Sequence, residues 1–323
     1  MLVAAISVSA SVLAPAFAQE SYPNRPVRII VPWSAGSGID VQVRQFARQF
    51  GEALGATVVV ENKAGAGSQV GYEVAVQAQP DGYTLFAGTN ANFIHQYMRP
   101  SSKIDLARDM TAVSFMFWMP QVLVVAADGP AKDVASLVAW AKANPGRLNY
   151  GSGGVGTGSH MIASAIATRN GLEVVHVPLR SLTAELGPML TRGDIHFTVP
   201  VTGVAAAQLS RGIVRALAVT SEKRLPQWPD VPTMAEAFDD DRYVINSWTG
   251  LFTPAGTPAD IVRKLAEAAA RAVGTPEHRA SADTLFFSID DAPATNPEEF
   301  GRFIRTESEK WREIVAESGI EPH

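Results

Sequence analysis

The feature that most constrains this chain is an alternation of short β-branched runs with stretches of helical period, separated by turns rich in Gly, Pro or Asn. Val27-Arg28-Ile29-Ile30-Val31 reads as a strand ended by Pro32. After the loop from Ser34 to Gly38, Ile39, Val43, Phe46, Ala47, Phe50 and Leu54 recur on one helix face, and Gly55 stops the helix. A strand from Thr57 to Val60, a loop from Glu61 to Gly67 and a helix from Ser68 to Ala78 follow. Asp81-Gly82 makes a turn into a strand from Tyr83 to Ala87. The order then recurs as a strand from Val122 to Ala126, a helix from Asp133 to Ala143, a strand from Leu148 to Tyr150 and a helix from Thr157 to Thr168. Next come a strand from Val174 to Val177, a helix from Leu182 to Leu190, and strands at Ile195 to Val199 and Val214 to Thr220. A strand from Trp248 to Thr253 precedes an Ala-rich helix opened by Pro258. A last helix begins near Pro297, with Phe300, Phe303, Ile304, Trp311, Ile314 and Val315 on one face. Strands alternating with helices imply βαβ units and a mainly parallel α/β sheet. There is no internal sequence repeat and no low-complexity linker.

A chain of 323 residues, 46% of them hydrophobic, can bury one large core or two ordinary ones. Its 27 basic and 32 acidic residues are interspersed with no basic run, which argues against a nucleic-acid partner. The net charge of −5 means that an anionic ligand must be held by local donors and not by a positive overall field. With no cysteine, disulfides and thiolate chemistry are excluded. Met1 to Phe17 is almost wholly small or apolar and ends in Ala16-Phe17-Ala18, which reads as a signal peptide cleaved after Ala18 and export to the periplasm. No Lys or Arg precedes the apolar run, so a true start upstream of Met1 is part of this expectation.

The polar and Gly-rich loops mostly follow strands and precede helices, the position of ligand crevices in open α/β sheets. In the first block they are Ser34 to Asp40 and Thr89 to Asn92, and in the second Gly151 to His160 and Pro178 to Thr183. Gly151-Ser152-Gly153-Gly154-Val155-Gly156-Thr157 is the sharpest of these signals. Glycines let backbone N–H groups converge, and the following helix offers its free N-terminal donors, an arrangement suited to an anion. A plain tight turn with Thr157 as N-cap is the simpler reading. Arg180 is positioned either to clamp a carboxylate or to pair on the surface with Glu185. Asp40 is either an N-cap alone or a group that orders its loop. Trp33 and Phe93 are core packing or ligand contacts.

The Gly151–Gly156 loop also fits G-x-G-x-x-G, so a nucleotide-dependent enzyme is an alternative. Against it, Glu173 starts the next strand and does not end it, as a ribose-binding acid would. The histidines lack metal-motif spacing, and neither a nucleophile elbow nor a phosphate-loop motif is present. No metal, cofactor or catalytic residue is expected.

Several segments carry a family resemblance. They are Tyr22 to Pro32, Val58 to Gly67, Pro80 to Leu85, Asn149 to Thr157, Arg215 to Ser221, Pro229 to Thr233, and Gly250 to Pro258. In this order they resemble the Bug receptors, the solute-binding components of tripartite tricarboxylate transporters. The resemblance implies a type II periplasmic binding fold: two α/β lobes joined by two crossing strands, near Trp118 to Leu123 and Ile245 to Leu251, closing on ligand like a flytrap. It divides the chain into residues 22–121 plus 249–323 as a discontinuous first lobe and 122–248 as the second. It implies a small carboxylate ligand and the membrane permease subunits of a tripartite transporter as partners, with the receptor acting as a monomer. A sensor-type binding protein serving a signalling partner is the alternative within the same fold. Carried over, the ligand-binding residues are Ser34, Gly36, Ser37, Gly38 and Asp40 in the first loop, with Thr89, Asn90 and Asn92. In the second block they are Ser152, Gly156, Thr157, His160, Arg180, Ser181, Thr183 and Pro200.

The chain departs from the family where ligands bind. The pattern P-F-P-P-G-G-x-x-D reads here Pro32-Trp33-Ser34-Ala35-Gly36-Ser37-Gly38-Ile39-Asp40. P-Y-R-G reads Pro178-Leu179-Arg180-Ser181, and G-D-V-D reads Gly193-Asp194-Ile195-His196. The missing Tyr and Gly point away from amino-acid or citrate ligands and leave room for a dicarboxylate or an aromatic carboxylate.

Overall fold

The computed structural model describes residues 22–99, 105–289 and 296–320, so the expected signal peptide lies outside the described residues. Ten strands and twelve α-helices are described. In the first part of the chain they are β1 (Val27–Val31), α1 (Gly38–Leu54), β2 (Val58–Asn62), α2 (Gln69–Val76), β3 (Thr84–Thr89), α3 (Asn90–Met98), α4 (Leu106–Asp109) and β4 (Met110–Met119). The middle holds β5 (Val122–Ala126), α5 (Val134–Ala143), β6 (Leu148–Ser152), α6 (Gly158–Asn170), β7 (Val174–Pro178), α7 (Leu182–Arg192), β8 (Phe197–Thr198), α8 (Thr202–Leu209), β9 (Val214–Val219) and α9 (Met234–Phe238). The chain closes with β10 (Ser247–Pro254), α10 (Ala259–Val273), α11 (Pro276–Leu285) and α12 (Pro297–Glu317).

Two five-stranded sheets result, in the orders β2-β1-β3-β10-β4 and β7-β6-β8-β5-β9. They are mixed, and not mainly parallel as the alternation implied. β10 runs antiparallel to both β3 and β4, and β5 antiparallel to both β8 and β9. The reversed strand in each sheet is the first one laid down after the chain changes sheets. The chain leaves the first sheet at Met119, enters the second at Val122 through Pro120-Gln121, and returns to the first at Ser247. Asn90 to Asn92 form the first turn of α3, where a loop was expected. β4, α4, α8 and α11 were not anticipated. They lack clean periodicity and are specified by what they pack against, as tertiary context overrides propensity.

Alternation along the central strands sets the layers. Val27, Ile29 and Val31 of β1, with Leu85 and Ala87 of β3, face a core shared with Phe46 and Phe50 of α1 and the Ala-rich side of α10. Ile30 and Phe86 point to the other face, into a core that runs on into the second lobe through Phe93, Met161, Ile162 and Ile314. A third cluster lies in the second lobe, with Val122 and Val124 packed against Leu186, Leu190 and Ala205.

Helix α12 touches both lobes. Phe300, Ile304, Trp311, Ile314 and Val315 are buried, while its end meets α6 through Ser164 Oγ donating to Ser318 O at 2.8 Å and an Arg169–Glu317 ion pair at 2.7 Å. One polar residue interrupts the buried stripe: Glu307, whose Oε2 accepts the indole N–H of Trp248 on β10 (2.8 Å) and of Trp311 (3.0 Å). Burial pushes its carboxyl up, against Lys310 and the two indoles, which pull it down.

A carboxyl whose folded pKa lies above its unfolded one contributes stability that is complete below the unfolded value and is lost as pH rises through the folded value. Glu307→Gln keeps an acceptor for the indoles and removes the titration. The melting temperature of the wild type should therefore fall relative to Glu307→Gln as pH rises above the ordinary 4.5. Parallel profiles would overturn this reading. Glu307→Ala strands both indoles and should cost about 1–3 kcal/mol for each in urea unfolding.

Candidate functional site

The loop after β1 is organised by Asp40. Its carboxylate accepts the Gly36 N–H (2.8 Å), Asn62 Nδ2 (2.7 Å) and Arg44 Nε (3.0 Å). Burial disfavours its charge, but the hydrogen bonds from Arg44, Asn62 and Gly36 outweigh it and hold the carboxyl below its usual range. Ser37 is the N-cap of α1, accepting the Asp40 N–H. Asp40 thus faces its own loop. The N–H groups of Gly38 and Ile39, at the start of α1, have no partner among the described residues, and the Cα atoms of Gly36 and Gly38 face open space. The Trp33 indole N–H is buried without a partner among the described residues, and Phe93 is wholly buried against Trp248.

At the end of β3, Thr89 and Asn92 form a capping box, and Asn92 Nδ2 also donates to Ser68 Oγ. Both serve the start of α3. Asn90 differs: it is 4% exposed, and its side chain has no hydrogen bond among the described residues.

In the second lobe the loop between β6 and α6 departs from the expected glycine cradle. Its glycine amides are turned inward to side chains of the same segment. Gly153 N–H donates to Ser159 Oγ (3.1 Å), Gly154 N–H to Ser152 Oγ (3.1 Å) and Gly156 N–H to His160 Nδ1 (3.3 Å). Thr157 caps α6 by accepting the His160 N–H and gives its own hydroxyl to Gly154 O. The donors left over are the N–H groups of Val155, Gly158 and Ser159, none partnered among the described residues. Two of them sit at the positive end of a 13-residue helix, which favours an anion.

The start of α6 meets the first lobe. A Cβ placed on Gly158 would lie 2.9 Å from Gln121 Oε1, 3.2 Å from Ser247 Oγ and 3.6 Å from Asn90 Nδ2. Gln121 stands on the outward crossing and Ser247 on the return, and Ser247 Oγ donates to Gln121 Oε1 at 3.0 Å. Gln121 Nε2 donates to Val199 O at 2.7 Å, while Pro200 O accepts the Val122 N–H, so Pro200 lies at the same hinge. Nearby, the positive φ of Gly156 (+79°) brings the loop onto Ile94, His95 and Met98 of α3.

The structure thus brings together Asn90, the Ser152–His160 segment and Pro200. No described contact joins Ser34–Asp40 to the second-lobe loop. Arg180 is exposed with no partner among the described residues, since Glu185 accepts the Ser181 N–H. Ser181 is the N-cap of α7, and Thr183 lines an outer groove with Gly187, Thr191 and Arg211. Gln121 and Ser247 were missed by sequence reasoning. A lone polar residue beside a buried strand carries no signal until the crossings place it. Glu173 sits at the start of β7, away from the G-x-G-x-x-G loop, and no metal-holding group of three His, Asp or Glu occurs among the described residues.

Two α/β lobes and two passages between them define a type II periplasmic binding protein. Residues 42–320 match the tripartite tricarboxylate transporter family receptor, and the chain belongs to that family. A UPF0065 protein of Bordetella pertussis is 32% identical, over 94% of this chain and 92% of its own. MatC of Rhodopseudomonas palustris, solved with bound malate, superposes with a TM-score of 0.79 at 26% identity, covering 91% of this chain and all of that one (100%). A further R. palustris protein, solved with adipate, gives 0.81 at 28% identity, over 94% and 100%. Proteins of this family are solute receptors and not enzymes. No helix among the described residues is long and apolar enough to cross a membrane.

Gln121 is held at both ends of its amide, so a methyl group on Gly158 must disturb that pair. Gly158→Ala should therefore lower the melting temperature, with the native circular dichroism spectrum unchanged. An unaltered melting temperature would overturn this placement of α6.

Proposed function

We propose that this receptor captures a small carboxylate between its lobes in the periplasm, after cleavage following Ala18, and delivers it as a monomer to the permease subunits of a tripartite tricarboxylate-type transporter. The lobes are residues 22–121 with 249–323, and 122–248. The observation that carries the reading is the convergence at the start of α6. The Gly158 and Ser159 amides, left without partners among the described residues, meet Asn90 of the first lobe and the two crossings. The first carboxylate of the ligand lies there. The α1 amides of Gly38 and Ile39, also without partners among the described residues, reach the ligand from the first lobe on closure, with Ser34, Gly36 and Ser37 shaping that loop. Arg180 follows Leu179, whose N–H donates to Ser152 O at 2.8 Å, and with Ser181 it receives the far end of the ligand. The malate and adipate carried by two structural neighbours support a dicarboxylate. Only the closed lobes contact the ligand from both sides, so ligand selects closure.

Thermal shift with malate, adipate and benzoate tests this. A bound carboxylate raises the melting temperature progressively with its concentration. Asn90→Ala and Arg180→Ala should each weaken binding about tenfold, or ~1.4 kcal/mol. A protein that no carboxylate stabilises would overturn the proposal, and unchanged affinity in both variants would overturn the placement of the ligand.

A further inference from the structure

Beneath the second-lobe loop three aromatic rings form a compact cluster. His160 on α6 stacks on His176 on β7 with centroids 3.9 Å apart and 24° between planes, and Tyr150 on β6 stacks on His176 at 5.0 Å. Each imidazole holds the loop. His160 Nδ1 accepts the Gly156 N–H at 3.3 Å, and His176 Nε2 lies 2.6 Å from Ser152 Oγ.

The network assigns the His160 proton. An Nδ1 that accepts an amide carries no hydrogen, so His160 is neutral with its proton on Nε2. Ser152 Oγ accepts the Gly154 N–H at 3.1 Å and lies 3.2 Å from Gly154 O, and its 2.6 Å contact with His176 Nε2 closes the network with the shared proton on either atom. Both hydrogen bonds to the loop are then made with His160 uncharged. The surroundings enforce this: burial, and then the neighbouring His176, push His160 down to about 3, and burial lowers His176. The titratable groups facing the pair are Tyr150 on β6 and, across Gly156, His95 on α3; no carboxylate perturbs either ring.

We propose that His160 and His176 are positioning residues, a neutral stacked pair that turns the Gly154 and Gly156 segment inward and so decides which amides remain for the bound carboxylate. The inference rests on the receptor reading above. With Ser152 and Gly156 held, the free donors are Val155, Gly158 and Ser159. Releasing either hold lets the glycine loop reorient and scatters those donors.

Two measurements test it. In the ligand-free protein, imidazole 15N NMR should show His160 uncharged and protonated on Nε2 from pH 8 to pH 5, and the Gly156 amide protected from hydrogen exchange. A proton on His160 Nδ1, or titration of His160 within that range, overturns the proposal whether or not any ligand is known. In the second, calorimetry with malate and adipate compares variants. His160→Asn places an acceptor near Nδ1, and His176→Gln places a donor near Nε2. His160→Phe and His176→Phe keep a ring and lose the hydrogen bond. The Phe variants should bind about tenfold more weakly and the amide variants within about threefold of wild type, with Gly156 protection lost in His160→Phe and kept in His160→Asn. Among variants that melt like wild type, Phe variants that bind normally while the amide variants weaken would reduce the pair to ring packing, and equal loss in both would show that the hydrogen bonds do not decide binding; either result overturns the role. Failure of wild type to bind either acid would count against the receptor's ligand and leave the NMR result to judge the pair.

Discussion

Everything at the lobe junction depends on one pairing, the insertion of β10 between β3 and β4. All eight residues of β10 are buried, and its antiparallel register sets Thr249 opposite Thr89 and Ser247 opposite Met119. That register puts the returning chain beside the departing one, so that Ser247 reaches Gln121. It also sets the end of β3, and hence Asn90, against the same spot. A slip of one residue would turn every side chain of β10 to the opposite face and take Ser247 out of the junction. Trp248 then fastens the strand from behind, through Glu307 on α12 and the ring of Phe93 on α3.

The two sheets have one topology without any matching repeat in sequence. In each, three parallel strands are followed by a reversed strand and then an outer one. The shared requirement is physical. A chain that changes lobes enters the new sheet from the opposite direction, so its first strand pairs antiparallel. Nothing in the composition of β5 or β10 announces this. Both read simply as buried strands, because antiparallel and parallel strands buried on both faces share the same apolar run.

What the sequence disclosed were the elements whose burial is periodic. The face of α1, the β1 and β3 runs and the stripe of α12 stand where spacing puts them, since local pattern and tertiary packing agree there. β4 was hidden because Met110–Met119 is nearly continuous in apolar character and follows no turn signal of its own. α3 was hidden because Thr89-Asn90-Ala91-Asn92 carries the chemistry of a loop, and that same chemistry makes a capping box once a helix follows. At the site, the Gly151–Thr157 motif was legible as a place where amides gather. Which amides stay free was not. It is settled by Ser159, Ser152 and His160, whose reach depends on the turn itself. Gln121 and Ser247 were illegible for a different reason: two polar residues 126 positions apart meet only through the crossings.

The contact of α12 with both lobes has a mechanical consequence. A helix fixed to the first sheet by its apolar stripe and tied at its far end to α6 by Ser164 and Arg169 works as a brace across the joint. Swinging the lobes apart must stretch those ties or drag the last turn along. The amplitude of the gape is therefore set at the carboxyl end of the chain, far along the sequence from the strands about which the lobes rotate.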